Sequence, residues 1–128
     1  MLPRSATDRR FDQMGSGTLL VAGVSLVVLL LTAMVAIVAG YVVAAHAARG
    51  AADLVALSAA AEQSRGGRAC AVAGRIAQAN RVRLVECRVR GDSLDFVVSV
   101  TLARPVAGLP LLPDQVLGTA RAGRLGLG

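Results

Sequence analysis

One long apolar stretch, residues 19–45, dominates the pattern of hydrophobic and polar positions along the chain. It lies within 36 consecutive residues that carry no formal charge when the single histidine is counted neutral. A bilayer core needs about 20 apolar residues in a helix. A soluble core helix of this length would need more surrounding protein than a chain of 128 residues supplies. The stretch therefore predicts one transmembrane helix in a lipid bilayer.

The helical pattern continues beyond this stretch, because residues 46–64 contain no proline and keep small or apolar residues at spacings of three and four. We expect one helix over 18–64, about 70 Å long at about 1.5 Å per residue, ended by Gly66 and Gly67. The same composition would also fit an alanine-rich helix that packs on no specific partner. An apolar stripe outside the bilayer, however, needs a surface to pack on, which favours a packing face. The predicted packing face consists of Ala33, Ala36, Gly40, Ala44, Ala47 and Ala51.

The pattern after residue 64 is typical of a small α+β domain. Arg68–Asn80 has the spacing of a short helix. Apolar and polar positions alternate from Val85 onward, around the turn residues Gly91-Asp92-Ser93, which predicts an antiparallel β-hairpin over 82–103. The predicted inward positions are Val85, Cys87 and Val89 in the first strand and Leu94, Phe96, Val98, Val100 and Leu102 in the second.

Three prolines after the hairpin indicate a loop, and Val116–Ala122 is a candidate third strand. The chain is thus predicted to consist of a basic leader (1–17), a transmembrane and extended helix (18–64) and a small α+β domain (65–128).

The two cysteines, Cys70 and Cys87, each fall on the predicted inward face of their element. Outside the cytoplasm the default expectation is a disulfide, and the alternative is a pair of small buried thiols in a reducing compartment. Two cysteines and one histidine lack the ligand spacing of zinc sites, so no metal is expected.

The net charge of +6 comes from fourteen arginines and no lysine, set against eight acidic residues. The arginines are scattered and form no basic block. Phe96 is the only aromatic residue after Tyr41, whereas single-stranded nucleic acids are bound largely by stacking on aromatic side chains. We therefore expect no nucleic-acid partner.

Cations close to the span predict its orientation. Three arginines precede the apolar stretch, and Arg49 is the only one in the first fifteen or so residues after it. We expect a single-pass protein of the cell membrane, with a cytoplasmic N-terminus and an extracytoplasmic C-terminal domain. A cleaved secretory signal peptide is the competing interpretation, although its apolar region normally has about 7 to 15 residues.

No pattern in the sequence indicates catalysis. His46 lies where the helix leaves the bilayer, and the Gly15-Ser16-Gly17 run lacks the context of a phosphate-binding loop or a nucleophile elbow. We expect a protein that is not an enzyme, with no cofactor and no small-molecule substrate.

Several features together resemble the type IV pilin-like proteins: a short arginine-bearing leader ending in glycine, an apolar run directly after it, a helix that outlasts the bilayer and a small β-containing domain. More narrowly, GSGT at 15–18 and AARGAADLVALSAAA at 47–61 resemble the TadE/TadG-like proteins of tight-adherence (Flp) pili, particularly the short forms of high-GC Gram-positive bacteria. The resemblance covers about residues 9–64, and more loosely the cysteines and 119–122.

The resemblance implies a minor pilin-like or pilus-assembly subunit that contacts other pilin-like membrane proteins. It also implies a leader removed by prepilin peptidase between Gly15 and Ser16, or as second choice between Gly17 and Thr18. Pilins usually carry Glu at the fifth mature position, where this chain has Leu20 or Ala22 according to the cleavage point. An uncleaved single-span protein, in which the glycines only form a flexible entry to the helix, is the alternative.

Two classes of function follow. The first is a non-enzymatic, membrane-anchored subunit or assembly component of a pilus or a related secretion system. The second is a single-span accessory or signalling protein whose outer domain binds a ligand or a partner complex.

Overall fold

The computed structural model describes the backbone of residues 8–108 and 110–126, and the side chains of residues 15–108 and 110–126. The chain divides into two units, one ending at Ala39 and one beginning at Gly40. In chain order the elements are α1 (Asp8–Ser64), α2 (Ala69–Ala79), β1 (Arg83–Gly91), β2 (Phe96–Pro105) and β3 (Gln115–Arg124). The order of a long helix, a short helix and three strands confirms the predicted α+β fold.

Helix α1 begins at Asp8, well before the predicted position 18. Residues 8–17 contain no proline, and Gly15 and Gly17 each weaken a helix by only about 1 kcal/mol, so nothing in this segment stops the helix.

The end of α1 at Ser64 is the predicted one. Gly66 takes a left-handed conformation with φ +77°, which glycine adopts without strain. The N–H groups of Gly66 and Gly67 donate to the carbonyls of Gln63 and Glu62, each at 3.0 Å. These bonds satisfy carbonyls that the end of a helix leaves without partners.

The first unit contains only helix among the described residues, and every described side chain from Gly15 to Ala39 is exposed. The large ones include Leu29, 67% exposed, and Val35, 67% exposed. No described residue of this segment contributes to a protein core.

The second unit is built on an antiparallel sheet in the order β1-β2-β3. Cys87 of β1 pairs with Val100 of β2, which pairs in turn with Ala120 of β3. The third strand expected at Val116–Ala122 is therefore confirmed, and it extends from Gln115 to Arg124. The core combines one side of α1, one side of α2 and the inner face of the sheet. Its buried residues are Ala52, Val55, Ala56, Ala59, Ala69, Ala73, Ala77, Val82, Phe96, Val98, Val100, Leu102 and Ala120.

Two inward positions predicted for the hairpin are wrong. Strand β1 has a bulge, because Leu84 pairs with Leu102 and Glu86 with Thr101, so that Val85 has no partner and is 48% exposed. The extra residue reverses the alternation, and Leu84 packs on the core instead.

Leu94 is the second wrong position. It lies in the β1–β2 connection, because β2 begins only at Phe96, and it is 70% exposed. Asp92 organises this connection: the N–H groups of Leu94 and Asp95 both donate to Asp92 Oδ1 at 2.8 Å. The two N–H···O bonds, that of Asp95 first, lower the pKa of Asp92 below its ordinary value of 3.8.

Candidate functional site

The apolar part of α1 is the first feature with a functional meaning. In the described part of the chain it is the one helix long and apolar enough to cross a membrane. Its side chains are exposed on all sides from Gly15 to Gly40, whereas a helix docked on a protein surface is apolar on one side only. Such a helix has the length and the all-round apolar composition of a membrane span.

The four residues of the expected processing site lie inside α1. Gly15, Ser16, Gly17 and Thr18 are helical and exposed. A Cβ added to either glycine would have no neighbour within 4 Å. The packing of the described residues therefore gives no reason for glycine at these two positions.

The packing face of α1 is displaced from the predicted one. In the second unit the buried positions of the helix are Ala44, Ala48, Ala52, Val55, Ala56 and Ala59. Of the predicted face, Ala44 is buried, Ala47 and Ala51 are half-buried at its margin, and Ala33, Ala36 and Gly40 are exposed. The side that α1 buries within its own unit therefore lies about one residue from the predicted face, since alanines at neighbouring positions look alike in the sequence. Packing of the predicted face on other helices stays a prediction.

A close approach between helix and sheet accompanies this stripe. A Cβ added to Gly118 of β3 would stand 2.4 Å from the carbonyl oxygen of Ala48. Only a residue without a side chain allows the backbones of α1 and β3 to come this near. The alternation of β3 alone did not reveal this requirement.

The disulfide expected between Cys70 and Cys87 is present. It joins α2 to β1, with the two Cα atoms 5.8 Å apart, inside the usual range for a disulfide. The bond closes a segment with a sequence separation of 17. It fixes the short helix on the edge strand of the sheet.

The outer face of the sheet is polar and holds a shallow concavity of about 460 Å³. Arg88, Ser99 and Arg121 occupy one row across the three strands, and Glu86 forms an ion pair with Arg88. The row offers guanidinium and hydroxyl donors at the surface. The lining residues are Glu86, Arg88, Arg90, Val97, Ser99, Thr101, Thr119 and Arg121.

Searches of protein-family models, curated proteins and solved structures find no match to this chain. The functional argument therefore rests on the chain's own residues.

One contact of the second unit was not anticipated. The Tyr41 hydroxyl donates to the carbonyl of Pro113 at 2.6 Å, across 72 positions of sequence. The only signal for it in the sequence is the position of the single tyrosine near the end of the apolar stretch.

Metal ions are held in proteins by sets of ligand side chains. No group of three or more His, Cys, Asp or Glu side chains in residues 15–108 and 110–126 lies close enough to hold a metal ion. His46 is exposed on α1.

Proposed function

We propose that this protein is a non-enzymatic, membrane-anchored subunit or assembly component of a Flp or type IV-type pilus or a related secretion system. One observation carries the proposal: α1 is apolar and exposed on all sides up to Gly40, and the same helix then supplies a buried stripe to a disulfide-linked α+β domain. A membrane helix that is also part of the core of its domain suits a protein whose function depends on packing against other subunits.

The proposed mechanism is helix association. Ala33, Ala36 and Gly40 are small and exposed, and small residues at this spacing let two helices approach closely in a membrane. The N-terminus is cytoplasmic and the disulfide-linked domain extracytoplasmic, in agreement with the arginines that precede the span. The resemblance to TadE/TadG-like proteins supports this interpretation.

Mass spectrometry of the mature N-terminus tests the proposed processing. The full chain is expressed with and without a prepilin peptidase, together with the variants Gly15→Leu and Gly17→Leu. We expect a mature chain beginning at Ser16, formed only with the peptidase, lost in Gly15→Leu and kept in Gly17→Leu. The reverse pattern in the two variants would assign cleavage to Gly17 instead.

The same spectra separate the alternative functions. A chain that retains Met1 in the presence of an active peptidase contradicts the pilin-like proposal and favours a single-span accessory or signalling protein. A chain beginning beyond Ala33 contradicts both and favours release by signal peptidase.

Cross-linking of single cysteines in membranes tests the proposed packing. Ala36→Cys lies on the small-residue side of α1, and Val38→Cys lies about 200° around the helix because successive residues are rotated by about 100°. We expect cross-linked copies or partners for Ala36→Cys and none for Val38→Cys. Equal cross-linking of the two variants would contradict the proposal that one specific face of α1 packs on other helices.

A further inference from the structure

The connection between β2 and β3 is apolar in sequence, and its described residues 107, 108 and 110–113 are exposed. Residues 106–113 contain no charged side chain, and the N–H of Val106 donates to the carbonyl of Asp114 at 2.9 Å, which closes the loop. Leu111 at its tip is 97% exposed and Leu112 is 42% exposed. Water is an unfavourable surrounding for neighbouring leucines held outside a core.

The loop is fixed to the start of the second unit. Tyr41 donates its hydroxyl to the carbonyl of Pro113 at 2.6 Å, and both residues belong to the unit that begins at Gly40. Pro113 directly follows the two leucines. The hydrogen bond therefore places the apolar loop beside the turn of α1 that contains Tyr41.

The length of the apolar stretch indicates where this turn lies in a bilayer. The described side chains of α1 are exposed on all sides up to Gly40, whereas Tyr41 is half-buried. The 21 residues Leu20–Gly40 that end there form about 31 Å of helix, and the hydrocarbon core is about 30 Å thick. Tyrosine is enriched at the membrane interface, where its ring contacts hydrocarbon and its hydroxyl contacts polar groups. Tyr41 then lies at the interface.

The connection at the opposite end of β2 has a different character. Leu94 is 70% exposed there, as Leu111 is in the apolar loop, but Asp92 and Asp95 lie on either side of it. The strand between the two connections, Phe96–Pro105, has ten residues, which at about 3.3 Å per residue separates them by about 30 Å. Residues 106–113 carry no charge, whereas the connection at the opposite end of β2 carries two aspartates.

We propose that Leu111 and Leu112 form a second membrane contact, in which the two side chains enter the lipid interface beside the turn of α1 that contains Tyr41. The inference rests on the proposed membrane anchoring of α1. The occupant is lipid because the loop adjoins Tyr41 at the end of a lipid-facing helix.

Tryptophan fluorescence in vesicles tests the contact, since the chain contains no tryptophan of its own. The full chain is reconstituted in phosphatidylethanolamine and phosphatidylglycerol, with and without brominated acyl chains that quench tryptophan. Three single variants are compared: Leu111→Trp in the loop, Leu94→Trp as the matched exposed control, and Leu29→Trp in the apolar helix.

We expect blue-shifted emission and at least twofold quenching by brominated lipid for Leu111→Trp, stronger quenching for Leu29→Trp, and solvent-like, unquenched emission for Leu94→Trp. Adding Tyr41→Phe to Leu111→Trp removes the hydrogen bond and should reduce the quenching at position 111.

Each contrary result has a separate meaning. Quenching of Leu29→Trp without quenching of Leu111→Trp overturns the loop contact and leaves the anchor standing. Blue-shifted but unquenched emission of Leu111→Trp shows that protein covers the loop, which also overturns the lipid contact. If Leu29→Trp is not quenched, the anchor itself is absent and both proposals fail.

Discussion

The two parts of α1 are both rich in apolar residues, yet their surroundings are opposite. Val35 in the first part is 67% exposed, whereas Val55 in the second is fully buried. In the first part, large apolar side chains surround the helix; in the second, small ones form a stripe while Arg49 and Asp53 remain exposed. Apolarity on all sides distinguishes a helix surrounded by apolar material from a helix docked on a domain.

A charge placed in each part tests this comparison with the largest expected effect. Leu29 and Leu57 are 67% and 63% exposed on the same helix. Leu29→Arg should disfavour membrane insertion by about 3.5 kcal/mol, because arginine is strongly unfavourable at the centre of a transmembrane helix. Leu57→Arg should leave insertion unchanged. Carbonate extraction and protease protection measure both, and equal insertion of the two variants would contradict the difference in surroundings.

Removing the disulfide should affect only the second unit. The double variant Cys70→Ser with Cys87→Ser should lower the free energy of unfolding of the domain by about 3 kcal/mol, because a loop of this length is no longer closed in the unfolded chain. Denaturant unfolding followed by circular dichroism measures the loss. Wild-type protein treated with reductant is the control and should match the variant; an unchanged midpoint would show that the bond contributes no stability.

The close approach of helix and strand allows a comparison of two glycines. Gly118→Ala should destabilise the domain by about 2 kcal/mol, because the new Cβ forces the backbones of α1 and β3 apart. At Gly50 a Cβ has no neighbour within 4 Å, so Gly50→Ala should stabilise α1 by up to about 1 kcal/mol. Thermal unfolding distinguishes them, and a loss of stability in Gly50→Ala alone would reverse the assignment of the docked side.

The smallest expected effect concerns the acidic connection of the hairpin. The pKa of Asp92 is lower in the folded chain than in the unfolded one, because two backbone N–H groups bond to its carboxylate. Its contribution to stability is therefore present above the unfolded pKa, near 3.8, and is lost as the pH falls through the lower folded pKa. Asp92→Asn should remove this part of the acid dependence, which unfolding curves between neutral pH and pH 3 measure.

The elements whose chemistry is local were predictable from the sequence. The end of α1 at Ser64 follows from Gly66, and the β1–β2 pairing follows from alternating apolar residues and turn residues. The third strand was a candidate in the sequence, but its pairing with β2 was not predicted. The disulfide followed from two cysteines on inward faces. These features depend on a few neighbouring residues, which a linear sequence displays.

Features that depend on partners distant in sequence were not predictable. The bulge at Val85 is set by pairing with β2, and the rotation of the α1 stripe is set by how Ala48 meets Gly118. The Tyr41–Pro113 hydrogen bond joins residues 72 positions apart. Alanines differ too little in size and polarity from one position to the next to reveal which of them a sheet will cover.

If α1 is the membrane anchor that we propose, its second role in the core limits how the domain can be released from the membrane. A cut between Val55 and Ala59 would separate residues such as Ala52 and Val55 from the rest of the domain and leave much of the inner face of the sheet without its cover. The fragment that departs would then be an unfolded substrate for degradation and no longer a working domain. Shedding by proteolysis within this segment is therefore equivalent to destruction, and the folded domain persists only while it keeps its helix.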